Sequence, residues 1–396
     1  MSHTRRGNRR RSAAAKSVVM TTRYPLDHPG GVERVARALV DCVGRSENDW
    51  KVSHVAAYPG RVGAARIPFV GDLVAAVRLA TRVFGKGDVL LIHGAEYAWA
   101  ALVVGRITGR PVVAVWHGVR ASESLPLAKR RLGKAAQGWF LRGQALLQGV
   151  ALRADATVAV SPTVAMDLRS RYGFRGEITA IPNGVAARTG RPREEARGSA
   201  SSIDDPLRVI WVGTSGYRKG LDLALGACEL ARARGQNVSL TAVGVPLESA
   251  GLERVPVGPW LTGLGSVPPG EMEALYRRHD VMLFPTRYEA CPMVVLEALA
   301  EGLPVIGSSV LQWLVEGAGE VIAGEDTSAY ADALRALADP VRRRRLAGVA
   351  IERARGFSWE SSAAGYLEVL NDVAKLSGRQ RRNREKHRLP AHSGAE

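Results

Sequence analysis

Two stretches far apart in the chain repeat one local design: a short apolar strand, a glycine-bearing turn and a helix. The first is Ser17–Thr22, a loop ending in Gly30 and Gly31, and a helix with an apolar face of Val32, Val35, Ala36, Leu39, Val40 and Val43. The second is Leu207–Val212, the turn Gly213–Gly220, and a helix from Leu221 to Arg234. Strands this short and continuously apolar are buried on both faces, as in parallel sheets, and parallel neighbours must be joined by crossovers that are usually helical. The design therefore demands layered α/β structure, and it demands it twice.

The rest of the chain fits that frame. Val52–Ala56, Val89–Ile92, Val112–Trp116, Thr157–Val160 and Ile178–Ala180 read as strands of the first unit, with helices near 97–106 and 163–171. Val238–Val243, Val281–Phe284 and Pro304–Ile306 read as strands of the second, with helices near Met272–Arg278, Tyr330–Ala338 and Val341–Arg353. A last helix runs from Trp359 to about residue 376. Residues 187–206, rich in Arg, Glu, Ser and Gly without periodicity, read as a linker or surface loop. At 396 residues the chain exceeds what one core usually holds. The expected organisation is a basic tail at 1–16, an α/β domain at 17–186, the linker, a second domain at 207–358, the helix 359–376 and a second basic tail at 377–396.

The formal charge of +17 is unevenly spread. Residues 1–16 hold six basic side chains and no acid, and 375–396 hold seven against Glu385 and Glu396, so eleven of the seventeen charges sit at the two ends. Stretches so poor in apolar residues cannot offset their ordering entropy and are expected to be disordered. The folded part keeps a modest positive excess, suited to an anionic lipid surface or a phosphorylated substrate. No nucleic-acid recognition motif lies in the core, so nucleic acid is not an expected partner. Residues 121–153 interleave Lys129, Arg130, Arg131, Lys134 and Arg142 with Leu127, Leu132, Trp139, Phe140 and Leu146. That pattern suits an interfacial helix on an anionic membrane, and equally an amphipathic helix packed on the first sheet. The paired arginines near the start are followed by too short and too polar-bounded a segment for an export signal, and no apolar run spans a bilayer, so the expected location is cytoplasmic, with peripheral contact at the inner face of the membrane. Cys42, Cys228 and Cys291 show no paired spacing, which argues against a disulfide framework or a structural zinc site.

The glycine turns indicate the chemistry. Gly30 and Gly31 open a helix, where missing side chains let a ligand approach free amides at the positive end of the helix dipole. The second turn adds Arg218 and Lys219 just before its helix, a cation pair at an anion-binding helix start. Neither turn has the spacing of a dinucleotide fingerprint or a P-loop, which disfavours a dehydrogenase or a P-loop ATPase. Glu289 and Glu297 flank a second helix start after strand Val281–Phe284, at the strand end where open α/β sheets bind ligands. Carboxylates there suit the hydroxyls of a sugar or ribose. Alternatively, Glu289 complements the helix dipole and Glu297 is a surface helix residue.

Taken together, Glu289 and Glu297 eight positions apart, the following Gly302-Leu303-Pro304-Val305, Gly30-Gly31-Val32-Glu33, the run Ile181–Val185, the turn 213–220, and Phe357–Glu360 before a helix bearing Tyr366 resemble the retaining GT-B glycosyltransferases of family 4 along nearly the whole chain. The resemblance implies two Rossmann-like domains facing across a cleft, the first on the acceptor side and the second binding the nucleotide-sugar, with the C-terminal helix crossing back to the first. It implies that Glu297 holds the ribose and Glu289 a hydroxyl of the donor sugar. Arg218 and Lys219 would neutralise the leaving diphosphate, assisted by Gly213 and by the amides of Gly31, Met293 and Val294. His117, at a strand end of the first domain, would face the transferred sugar, with His93 similarly placed. No metal or cofactor is implied beyond the nucleoside-diphosphate sugar, with UDP-hexose or UDP-N-acetylhexosamine favoured over GDP-mannose. A saccharide, lipid-linked or small-molecule hydroxyl is the expected acceptor. Two departures stand out: Thr214 occupies a position where the family often has arginine, so that the turn resembles the lipopolysaccharide-core glucosyltransferases, and Pro292 removes one amide from the helix start. The alternatives are a nucleotide-sugar 2-epimerase on the same architecture, a GDP-mannose-dependent mannosyltransferase and a glycogen-type phosphorylase.

Overall fold

The computed structural model describes residues 16–28, 30–45, 50–58, 70–95, 98–131, 133, 148–186, 205–249, 252, 255–256 and 258–386. The first unit comprises β1 (Lys16–Thr22), α1 (Gly31–Arg45), β2 (Trp50–Ala56), α2 (Val70–Val83), β3 (Val89–His93), α3 (Ala98–Thr108), β4 (Val112–Trp116), α4 (Arg120–Arg131), β5 (Ala156–Ala159), α5 (Pro162–Tyr172) and β6 (Thr179–Ala180). The second comprises β7 (Leu207–Val212), α6 (Leu221–Ala233), β8 (Val238–Val243), β9 (Leu261–Gly265), α7 (Pro269–Arg278), β10 (Val281–Phe284), α8 (Met293–Ala300), β11 (Val305–Ser308), α9 (Gln312–Val315), β12 (Gly319–Ile322), α10 (Thr327–Ala336) and α11 (Pro340–Arg355). A last helix, α12, spans Trp359–Lys386.

Each unit holds a six-stranded sheet, ordered β2-β1-β3-β4-β5-β6 and β12-β11-β10-β7-β8-β9. The pairs within them are parallel. All five residues of β3 and of β4 are buried, as strands covered by helices on both faces must be. In the first sheet the chain reverses its direction of winding between β1 and β3, and in the second between β7 and β10. A crevice opens beyond the carboxyl ends of strands at such a switch point. The loops that leave β1, β3, β4, β7 and β10 therefore carry the site.

Two features join the units. Val185 pairs with Ser358 as an isolated bridge, its amide donating to the carbonyl of Phe357 at 2.7 Å. The helix α12 then returns to pack on α1, burying Ala363, Tyr366, Val369, Leu370 and Val373 on one stripe. Asn371 Oδ1 on that helix accepts from Lys16 Nζ at 3.0 Å and from Trp50 Nε1 at 3.1 Å.

The architecture departs from the sequence-based expectation in its details. The crossover helix was expected to end at residue 376 but continues to Lys386, so residues 377–386 are helical rather than part of a disordered tail. The continuation is rich in Arg, Gln, Glu and Lys, which lose little side-chain freedom in a helix. Helix α2 and strands β9 and β12 were not anticipated. Both strands lie at sheet edges, half-exposed or exposed, and so lack an apolar run. Of the expected tail at 1–16, Lys16 is the first residue of β1, while residues 1–15, the last ten residues, most of the linker (187–204), and residues 132 and 134–147 of the basic amphipathic segment lie outside the described residues.

Candidate active site

The second domain contributes a compact charge cluster. β7 ends at Val212, and Gly213 follows where a Cβ would lie 2.6 Å from Lys219 Cδ and 2.8 Å from the Trp211 ring. The turn can thus fold back so that Lys219 lies against the strand end, and Trp211 Nε1 donates to the Lys219 carbonyl at 3.0 Å. Gly220 has φ +72°, and a Cβ there would lie 2.0 Å from the carbonyl oxygen of Pro285, so only glycine lets the β10 loop approach this closely. The approach brings Glu289 beside the cations. Its Oε1 lies 2.8 Å from Lys219 Nζ and 3.4 Å from Arg218 Nη1. All three side chains are largely buried, at 13%, 17% and 10% exposure for Lys219, Arg218 and Glu289. Two cations of this domain thus share one carboxylate of their own domain. The loop is pinned from behind by Arg287, which forms a two-point pair with Asp222 at 2.8 Å.

Four residues beyond Glu289, α8 begins at Met293 with Pro292 as its N-cap and no side-chain cap on its first amides. Such a helix start presents Met293, Val294 and the positive dipole end to whatever lies before it. Glu297 sits one turn further on and is buried. Its Oε2 accepts from Tyr276 at 3.0 Å, and its Oε1 is paired with Arg34 of α1, across the cleft.

The first domain supplies the opposite wall. Gly31 is the first residue of α1, and Gly30 precedes it where a Cβ would collide with the Glu33 carboxylate. Glu33 in turn accepts from the Tyr24 amide at 3.2 Å and holds the preceding loop. At the ends of β3 and β4, His93 Nδ1 and His117 Nε2 are 2.7 Å apart, with stacked rings. Burial pushes the His117 pKa down to about 4. It also pushes His93 well below the ordinary histidine value, with the neighbouring His117 and His54 adding to the shift. Both shifts favour the neutral imidazoles, whose near nitrogens are within hydrogen-bond distance of each other. The two rings line a cavity of about 370 Å³ with Arg23, His28, Arg120 and Gln148. Gln148 Oε1 accepts from the Arg120 amide at 2.9 Å and from the Tyr172 hydroxyl at 3.0 Å.

The two walls touch. Tyr288, next to Glu289, accepts from the buried Val119 amide at 3.0 Å, Arg218 lies 3.6 Å from Glu123, and Asn183 Nδ2 donates to the Cys291 carbonyl at 3.1 Å. Arg218, Lys219 and Glu289 thus form one cluster, beside the Met293–Val294 helix start and Glu297. Gly118, next to His117, lies close to the Tyr288 hydroxyl. Sequence reasoning missed Arg34, Glu123, Tyr276 and Tyr288. Only Arg34 and Tyr288 carried any signal, as neighbours of the glycine loop and of Glu289. Among the described residues no group of three or more His, Cys, Asp or Glu is placed to hold a metal ion.

Two parallel-sheet domains, joined by a returning helix and facing each other through loops rich in cations, carboxylates and helix starts, define a GT-B glycosyltransferase. Residues 29–188 match the family described as Glycosyltransferase Family 4, and residues 206–339 match glycosyl transferases group 1. A D-inositol 3-phosphate glycosyltransferase from Frankia alni is 30% identical over 72% of this chain and 74% of its own length. Another, from Nocardia farcinica, is 32% identical over 54% of this chain and 52% of its own length, so the match spans about half of that relative. Among solved structures, sucrose-phosphate synthase from Thermosynechococcus elongatus has a TM-score of 0.73 at 21% identity, covering 90% of this chain and 99% of that one. Anabaena HepE in complex with UDP-glucose has a TM-score of 0.65 at 17% identity, covering 90% and 100%. The chain belongs to the family 4 glycosyltransferases, enzymes that move a sugar from a nucleoside-diphosphate donor to an acceptor.

Proposed function

We propose that the enzyme transfers a hexose or N-acetylhexosamine, with retention of configuration, from a UDP-sugar to a hydroxyl of a compact polar acceptor seated in the first-domain cavity. The single observation that carries the reading is the Lys219–Glu289–Arg218 cluster. A buried carboxylate holding two cations keeps them poised for an anion. When a donor arrives, the diphosphate takes the cations, and Glu289 is released to accept from a hydroxyl of the sugar. As the bond from the anomeric carbon to the diphosphate oxygen breaks, that oxygen gains negative charge beside Arg218, Lys219 and the amides of Met293 and Val294. Charge developing next to fixed cations in a site shielded from water is where an enzyme gains most. The acceptor oxygen bonds to the same face of the anomeric carbon, and its proton passes to the departing diphosphate. Glu297 takes the ribose hydroxyls, Gly213 and Gly31 leave room for the phosphates, and neutral His117 offers a hydrogen bond to the sugar rather than a charge.

The acceptor class is read from the cavity. The cavity is lined by Arg23 and Arg120 together with Glu33 and Glu123, a mixed set suited to an acceptor that carries both an anionic group and hydroxyls, and a volume of about 370 Å³ suits a polyol or sugar phosphate. The Frankia and Nocardia relatives are named for D-inositol 3-phosphate, which has that chemistry. The test is nucleoside-diphosphate release from UDP-glucose, UDP-N-acetylglucosamine and GDP-mannose, with and without inositol phosphate, neutral inositol and a lipid-linked saccharide, and with the product anomer assigned by NMR. The expected result is UDP release stimulated by the phosphorylated polyol, with an α-linked product. Turnover of GDP-mannose alone would overturn the donor assignment, and an inverted anomer the stereochemistry. Stimulation by the lipid-linked saccharide alone would overturn the acceptor class. Release of free epimerised sugar without acceptor would instead identify a 2-epimerase.

A further inference from the structure

We propose that Arg34 is a built-in occupant of the ribose site: a guanidinium from the first domain that holds Glu297 across the cleft in the empty enzyme and yields it to an incoming nucleotide. The inference rests on reading Glu297 as the ribose carboxylate.

Four observations converge. Glu297 is nearly buried, at 8% side-chain exposure, and both of its oxygens are engaged, Oε2 by the Tyr276 hydroxyl and Oε1 by Arg34. An ionised carboxylate at that depth requires a partner, because the charge is costly to bury uncompensated. Tyr276 lies in the same domain and supplies one hydrogen bond, while the compensating charge comes from α1 of the other domain. The partners are also unequal: Arg34 is 43% exposed and can swing into solvent by side-chain rotation alone, whereas Glu297 is fixed on α8. The α1 backbone need not move, since the Arg34 amide is bonded to the Gly30 carbonyl at 3.1 Å. Finally, the pattern recurs at a second donor-side charge, for Arg218 is approached from the first domain by Glu123 at 3.6 Å. Two of the three charged groups assigned to the nucleotide, Arg218 and Glu297, are thus met by an opposite charge from the facing wall, while Lys219 is met by Glu289 of its own domain.

The chemistry of the exchange follows. A ribose diol brings two O–H donors to a carboxylate and no charge, so it can take the place of a guanidinium on Oε1 only by spending binding free energy. Apparent nucleotide affinity is reduced by the fraction of molecules in which Glu297 is available. If the pair is closed about nine-tenths of the time, UDP binds about tenfold more weakly than it would to an unlatched site. The latch also holds the domains together while the cleft is empty, and donor binding frees Arg34 next to the Gly30–Gly31 helix start, where the phosphates are expected.

Calorimetric titration of UDP and 2′-deoxy-UDP into wild type, Arg34→Ala, Arg34→Gln, Glu297→Gln and the Arg34→Ala/Glu297→Gln double variant tests the proposal, with the glutamine at position 34 covering the case in which alanine fails to fold. UDP should bind about 3- to 10-fold more tightly to both Arg34 variants. The gain should be smaller for 2′-deoxy-UDP and absent in the Glu297→Gln background. Weaker UDP binding by the Arg34 variants would make Arg34 a direct nucleotide ligand and overturn the latch, as would unchanged affinity while wild type still prefers UDP over 2′-deoxy-UDP. If wild type binds the two nucleotides equally and Glu297→Gln changes neither, the ribose assignment itself fails, an outcome distinguishable from failure of the latch.

Discussion

Lys219→Ala separates a catalytic cation from a structural one. Its Nζ lies 2.8 Å from Glu289 Oε1, and Arg218 remains at 3.4 Å from the same oxygen when the lysine is removed. Glu289 is therefore not left without a cation, and the stability cost should fall below the ~3–5 kcal/mol of a fully broken buried pair, at about 1–2 kcal/mol. In the transition state the balance differs. A unit charge about 4 Å from developing negative charge, at an effective dielectric constant of about 20, is worth roughly 4 kcal/mol, and loss of a single donor from an oxyanion site typically costs about 2.7–4 kcal/mol. The expected fall in kcat is thus about 10²- to 10³-fold, with little change in KM, because the interaction strengthens only as the bond breaks. Arg218→Ala should behave similarly, and the double variant should lose less than the two single effects combined, since both cations serve one charge. The assay is steady-state kinetics at saturating donor, run beside urea unfolding of the same preparations. A kcat near wild type with only a lowered unfolding midpoint would refute the reasoning and leave the pair a purely structural role.

Three further outcomes are expected. Tyr288→Phe leaves the buried Val119 amide without its acceptor and should cost about 1–3 kcal/mol in urea unfolding, since an orphaned buried donor bears its full desolvation penalty. Gly220→Ala forces a Cβ to within 2.0 Å of the Pro285 oxygen and should both destabilise the protein and reduce kcat, whereas Gly235→Ala, at φ +85° with nothing within 4 Å, should cost about 1 kcal/mol in unfolding and spare turnover. Stability should fall on acidification from about pH 6.5 to about pH 4. His117 binds a proton in the unfolded chain near the ordinary histidine value but in the folded chain only at about 4, so its contribution is fully present above that window and lost as pH falls through it. The size is on the order of 3 kcal/mol for His117, and thermal melts across that range in His117→Ala should show a flatter pH dependence.

The sequence shows clearly whatever is written in local pattern. Buried parallel strands such as Val112–Trp116 and Val281–Phe284 are apolar runs with no competing interpretation, and the helix starting at Met293 is marked by the proline before it. Edge strands β9 and β12 escape because half their surface faces solvent, and so their composition resembles a loop. The clustering of Arg218, Lys219 and Glu289 could be anticipated only through the resemblance, since the seventy residues between the turn and the loop carry no periodic sign of contact. Partners supplied by the opposite wall were beyond reach. Glu123 looks like an ordinary helix residue, and Arg34 shows only its place beside the glycine loop, until two sheets are brought face to face.

The return of α12 to the first domain ties the completion of that domain to a helix made only after the whole second domain. On the ribosome, the face of α1 that packs against α12 stays bare while the whole second domain is synthesised, and Lys16 and Trp50 wait for Asn371. At about 5–20 residues per second, nearly two hundred residues separate the end of the first domain from its cover, a delay on the order of 10–40 s. The first domain emerges early as an unfinished template, and a nascent chain stalled before α12 presents an apolar face to chaperones instead of a usable half-enzyme.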